Sequence, residues 1–245
     1  MPNGGYLGSI LMKAAQTNSS LYHGDLDQPD IVHMFINFLN RAQVGPAEVM
    51  VTDAKIGRNY SSYRLLLKQH GTELIHSYIQ MANFDRETGP SVDIKSNIKP
   101  RRHEDYELGK VAISEFRRIS KHFEYKYTHD NPMDVQDTFI SFKSGRPWDL
   151  LSFAVAADIT SPVPRFLESD GIIRWYPTVT MEIEFKRKPK NLKWVRAIAT
   201  VKGLINGRND LNIALYDEEG NLLANSHHVA LVVDASRNLK KKASI

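Results

Sequence analysis

At 245 residues, 42% of them hydrophobic and 24% charged, the chain can hold one large domain or two modest ones, and its composition is neither disordered nor membrane-like. The absence of cysteine excludes disulfides, a thiol nucleophile and cysteine-ligated zinc, and it fits a reducing compartment. A formal charge of +4 and a pI near 9.1 suit an anionic partner, including a phosphate-bearing cofactor, but part of the excess lies in Lys240, Lys241 and Lys242, read as a solvated tail, and no basic face interleaved with aromatics points to nucleic acid.

Taken in chain order, the first element is a helix ending at Gln16, with Leu7, Ile10, Leu11 and Ala14 at helical spacing. An alternating strand follows, in which Val32, Met34, Ile36 and Phe38 share one face. A second strand covers Glu48–Lys55, and a turn at Gly57-Arg58-Asn59 leads to a third strand. A glycine turn at Gly71 then opens the last strand of this half. From about Asp85 to Asn131 the chain turns polar, punctuated by Pro90, Pro100 and Pro132. We read a connector there, with a short helix at Ile113, Phe116 and Ile119 and a basic run at Lys99, Arg101 and Arg102.

The second half repeats the first. A strand at Thr138–Phe142 precedes a helix carrying Leu150, Phe153, Ala154 and Ala157. Both helices close on an Ala-Ala pair and one polar residue, Gln16 in the first and Asp158 in the second. Val179, Met181, Ile183 and Phe185 alternate as their counterparts do, and Val195–Ile205 runs into Asn206-Gly207, a hairpin signal because both residues tolerate positive φ. Gly207-Arg208-Asn209 repeats the earlier turn, and Gly220 matches Gly71. Helix and four strands in one order, twice, mark an internal duplication. The first unit is expected to lack an opening strand, which would leave an unpaired sheet edge.

Pro2-Asn3-Gly4-Gly5-Tyr6, the H-x-F-x-x-F-x-x-R stretch from His33 to Arg41, and Asp217-Glu218-Glu219-Gly220-Asn221-Leu222-Leu223-Ala224 together resemble the acyl-CoA thioesterase II family. The resemblance runs over nearly the whole chain except the connector and begins partway into the family's first unit. It implies an α+β double hotdog, two antiparallel sheets each wrapped round a central helix and fused in one chain. The units are expected at 1–94 and 132–245, with the linker at 95–131. It also implies a site of aspartate, hydroxyl and glutamine holding a hydrolytic water. Asp158 and Thr178 occupy the first two positions, and His228 stands where the family has glutamine.

Thioester hydrolysis needs an oriented water, a proton acceptor and donors for the oxyanion. Imidazole at 228 could serve as a base steadied by Asp158, with activity falling through a pKa near ~6.5, or it could have damaged the site. Ala224, Ser226, His228 and Ala230 share a strand face, while His227 points away. No metal-ligand spacing and no G-x-S-x-G, G-x-G-x-x-G, P-loop or H-E-x-x-H motif occurs, so neither metal nor cofactor is expected. Trp148, Trp175 and Trp194 are read as core or rim packing.

The leading expectation is hydrolysis of an acyl-CoA or carrier-bound acyl thioester by Asp158, Thr178 and His228. Two others stand beside it: a non-hydrolytic binding or accessory protein of fatty-acyl or polyketide synthesis, and a related reaction such as dehydration or cyclisation. No apolar run approaches the ~20 residues of a membrane span, and no secretory pattern opens the chain, so a cytoplasmic protein is expected. A peroxisomal one is possible by family analogy, though Ala243-Ser244-Ile245 is a poor address. Sheet pairing allows a monomer or a homo-oligomer.

Overall fold

The computed structural model describes residues 2–92, 94, 99–109, 118–167 and 171–235. The first helix, α1 (Gly4–Tyr22), starts where the Asn3 side chain accepts a hydrogen bond from the Tyr6 N–H and ends with the His23 N–H on the Ser19 carbonyl. Leu7, Leu11 and Ala15, four residues apart, form its buried stripe with Gly8 and Met12. Four strands follow: β1 (Asp30–Phe38), β2 (Glu48–Lys55), β3 (Ser61–Gln69) and β4 (Thr72–Ala82). The second half contains β5 (Glu107–Leu108), β6 (Phe123–Tyr127), β7 (Val135–Phe142), α2 (Phe153–Ala156), β8 (Arg174–Trp175), β9 (Thr178–Phe185), β10 (Val195–Ile205), β11 (Arg208–Tyr216), β12 (Leu222–Leu231) and β13 (Val233–Asp234).

The architecture is the double hotdog. Each half-sheet lies against its helix, and the halves join edge to edge in one antiparallel sheet ordered β2-β3-β4-β1-β9-β12-β11-β10-β7-β6-β5. At the seam Met34 faces Ile183, Ile36 faces Met181, and Phe35 pairs with Glu182 between them. Residues 34 and 36 are the repeat counterparts of 181 and 183, so the register places a pseudo-twofold axis through the Phe35–Glu182 pair. All four inward seam side chains are fully buried. Each contributes about 1.5–3 kcal/mol by leaving water.

The turns follow their sequences. Asn206 and Gly207 both take positive φ (51° and 74°) and form the two-residue connection of β10 to β11; His70 and Gly71 do the same between β3 and β4. The helices differ from the expectation of two similar elements: α1 runs 19 residues and α2 only four. Asp149 and Ser152 bond to each other's main-chain N–H, a local turn that competes with helix before Phe153, and Pro162 and Pro164 lie just beyond Asp158.

The segment read as a polar connector supplies β5 and β6, and Phe123–Tyr127 pairs with β7. Of its expected helix, Ile113 and Phe116 lie outside the described residues, and Ile119 belongs to a 3-10 turn at Arg118–His122. The connector is held down by a buried cluster. Arg196 donates to both Asp137 oxygens (2.9 and 2.6 Å) and to the Lys99 carbonyl (2.8 Å), and Tyr106 donates to Asp137 (2.8 Å). Among the described residues β7 covers the outer edge of β10, whereas β2, its counterpart in the first unit, lies at the end of the sheet. No helix among them is long and apolar enough to cross a membrane.

Candidate active site

A cavity of about 560 Å³ opens where the N-terminus of α1 meets the end of α2 and the start of β9. Asp158 and Thr178 both line it, with Gly4, Phe38, Thr160, Trp175 and Arg41 among the other wall residues. Asp158 sits there because α2 ends at Ala156 and its side chain turns toward α1. The Gly5 N–H donates to Asp158 Oδ2 at 2.8 Å. That bond crosses between the units and depends on two glycines. A Cβ on Gly5 would lie 2.2 Å from the Ala154 carbonyl oxygen, and one on Gly4 would meet Asp158 Oδ2 and Phe38 at 3.1 Å. Thr178, the first residue of β9, is half-buried and pairs in register with Ala230 of β12.

His228 stands behind Asp158 rather than in the cavity wall. Its side chain is 0% exposed and Asp158 is 8% exposed, with His228 Nδ1 3.7 Å from Asp158 Oδ1. That separation is too long for a hydrogen bond. Nε2 lies 2.9 Å from the Ala157 carbonyl oxygen and also contacts Ser226 Oγ. A carbonyl only accepts, so the ring proton belongs on Nε2 and Nδ1 carries the lone pair, without a hydrogen-bond partner. Burial depresses the imidazole pKa from 6.5 to about 4; the Ala157 carbonyl opposes the shift, and His227 next to it adds to it. The pair is therefore a neutral ring beside a carboxyl group, and the expected titration near 6.5 is replaced by one near 4. Ala224, Ser226 and Ala230 do share the His228 face, but the end of α2 fills the space over the ring.

Reading the sequence placed the site wholly in the second unit and missed the Gly5 N–H from the first. The Gly4-Gly5 pair after a helix-capping asparagine was its signal. The repeat does not carry these three side chains into the first unit. Across the pseudo-twofold, Asp158 corresponds to Gln16, which donates to the Pro29 carbonyl, and the strand positions of Thr178 and His228 correspond to the buried Ile31 and Ile79. Of the other polar groupings, His103, Glu104 and Glu218 have ligand atoms within 4.8 Å of one another. The His103 ring nitrogen there is already bonded to Glu218 at 2.6 Å, a contact that closes the connector onto the β11–β12 turn.

The profile of the acyl-CoA thioesterase N-terminal domain matches residues 1–82, and that of the C-terminal domain matches residues 99–232. The thioesterase-like protein TwmA of Talaromyces wortmannii is 24% identical, over 99% of this chain and 87% of its own. Among solved structures, a Thermobifida fusca protein assigned to thioesterase II superposes with a TM-score of 0.79 at 21% identity, covering 94% of this chain and 86% of the other. Acyl-CoA thioesterase II TesB2 of Mycobacterium marinum gives 0.64 at 13% identity, covering 84% and 82%. At those identities the structural likeness is one of fold. The two profiles, matched in order over most of the sequence, carry the assignment: the chain belongs to the acyl-CoA thioesterase family.

Proposed function

We propose that the protein hydrolyses an acyl thioester of CoA or of an acyl carrier, with Asp158 as the proton acceptor. The observation that carries this is a carboxylate at the wall of a partly open cavity, one oxygen held by a main-chain N–H and Thr178 on the same wall. In this reading Thr178 orients a water toward the carbonyl carbon. The water oxygen attacks as Asp158 takes one of its protons, and the carbonyl electrons move onto oxygen. The oxyanion collapses, the C–S bond breaks, and the proton passes from Asp158 to the leaving thiolate, giving carboxylic acid and thiol. Pro2, Asn3 and Gly4 bring the positive end of the α1 dipole to the cavity, where it favours the developing negative charge.

His228 acts as a positioning residue. Its Nε2–H grips the carbonyl of Ala157, the peptide immediately before Asp158, and so sets where the carboxylate points. Its lone pair at Nδ1 is buried outside the cavity wall, which suits positioning better than proton transfer with the attacking water. The same placement favours a second reading, a cavity that binds acyl thioesters without cleaving them, as in an accessory protein of fatty-acyl or polyketide synthesis.

Thiol release from a panel of acyl-CoA and acyl-carrier donors decides between them. Hydrolysis is expected from wild type, with Thr178→Val slower by about 10- to 100-fold for a lost water-orienting bond worth about 1.5–3 kcal/mol. Binding across the panel with no thiol released establishes the second reading. A Thr178→Val variant as fast as wild type removes the hydroxyl from the mechanism.

A further inference from the structure

The last residue of the H-x-F-x-x-F-x-x-R stretch, Arg41, plays no part in the chemistry above, yet it lines the same cavity. It projects from the loop after β1, which is pinned on both sides. The Leu39 and Asn40 N–H groups donate to the Leu74 carbonyl, the Asn40 amide donates to the Glu73 carbonyl, and the Gln43 N–H is held by the Gln69 side chain. Between them Ala42 is buried in the core. Across the unit boundary, the Arg41 guanidinium lies over the Trp175 ring, 4.6 Å from its centroid. Trp175 is itself held by β8–β13 pairing with Val233.

Stacking uses the face of a guanidinium and leaves its N–H donors, which lie in its plane, directed outward. Arg41 is exposed and, among the described residues, has no hydrogen bond or carboxylate partner; Glu73, beside its anchor, spends its carboxylate on Lys68 and His76. Among the described residues the only carboxylate in the cavity wall is Asp158, already held by Gly5. A planar cation with its orientation set by an aromatic ring and its donors unspent matches a phosphate. We infer that Arg41, stacked on Trp175, receives the phosphate at the end of the pantetheine arm whose thioester reaches Asp158. This rests on reading the cavity as a thioester site. It names the part of the substrate that CoA and a phosphopantetheinylated carrier share.

The test compares wild type with Arg41→Gln and Arg41→Lys on one acyl group carried by CoA, by a phosphopantetheinylated acyl carrier protein, and by N-acetylcysteamine, which has no phosphate. Arg41→Gln is expected to raise KM about tenfold or more on a phosphate-bearing donor, with kcat held and KM for the N-acetylcysteamine thioester within about twofold. Arg41→Lys restores only part of the loss, because an ammonium keeps the charge but lacks the planar fork. Which donor shows the effect identifies the source of the phosphate. A loss shared by all three donors, or none on either phosphate-bearing donor, overturns the inference. Binding of CoA and of holo-carrier without an acyl group, followed by tryptophan emission, separates this claim from hydrolysis. Binding that weakens about tenfold in Arg41→Gln while wild type releases no thiol removes the hydrolytic reading and keeps this one. Equal binding by wild type and variant, or binding by neither, overturns it.

Discussion

Replacing Asp158 by asparagine separates the chemistry of this site from its architecture. The side-chain oxygen of asparagine can still accept from the Gly5 N–H, now as a neutral acceptor in place of a charged one. That exchange costs about 1 kcal/mol, the difference between a charge-assisted and an ordinary hydrogen bond. The new NH2 group takes the place of Oδ1, which lies 3.7 Å from an unpartnered ring nitrogen of His228. Because Nε2 carries the ring proton, that nitrogen is an acceptor, and a closure to about 3 Å would make a hydrogen bond worth about 0.5–1.5 kcal/mol. The two terms offset each other, so stability should stay within about 1 kcal/mol and Tm within about 2–4 °C. Activity should not stay. Removing a general base costs about 10²- to 10⁴-fold, or roughly 2.7–5.5 kcal/mol of transition-state stabilisation. Thiol release read with a thiol-reactive dye, alongside a thermal melt, measures both quantities. Turnover within tenfold of wild type would refute Asp158 as the base, and a Tm drop beyond about 8 °C would refute the hydrogen-bond exchange.

His228 makes stability depend on pH. Its folded pKa, about 4, lies below its ordinary 6.5, so between those values the unfolded chain binds the extra proton. Its contribution, roughly 3 kcal/mol, is complete above pH ~6.5 and disappears as pH falls toward 4. His228→Gln keeps a donor for the Ala157 carbonyl but cannot titrate, so urea melts should show a shallower loss between pH 7 and 4.5; superimposable curves would contradict the buried neutral ring. Gly5→Ala puts a methyl group 2.2 Å from the Ala154 carbonyl oxygen and 2.8 Å from Val155 Cα, main-chain atoms that cannot turn aside. Calorimetry should find at least about 1–3 kcal/mol lost, whereas Gly24→Ala, with nothing within 4 Å of its Cβ, serves as the near-neutral control. Equal melts for the two would show that α1 and α2 do not need their close approach.

The duplication and most strands were legible because each unit writes its own period. Val179, Met181, Ile183 and Phe185 alternate along β9, and Asn206-Gly207 marks a hairpin by its backbone tolerance alone. The resemblance that their surroundings carry led Asp158 and Thr178 to be expected together, and both line one cavity. The length of α2 was not legible. Leu150, Phe153, Ala154 and Ala157 keep helical spacing, but the Asp149–Ser152 turn outcompetes helix before Phe153. The connector hid β6 for a similar reason: Phe123–Tyr127 alternates over too few residues to stand out from its polar surroundings, and its stability comes from pairing with β7.

Local sequence thus settled what kind of segment most stretches become and that the segments occur twice, since periodicity and turn tolerance act between near neighbours. Only the tertiary structure decided that the halves share one sheet through β1 and β9, that a first-unit N–H holds a second-unit carboxylate, and that His228 is neutral and faces Ala157. Those outcomes depend on distances between groups as far apart in the chain as Gly5 and Asp158. Such distances arise when two glycines let the helices approach and the sheet closes over them, and no period along the chain encodes them.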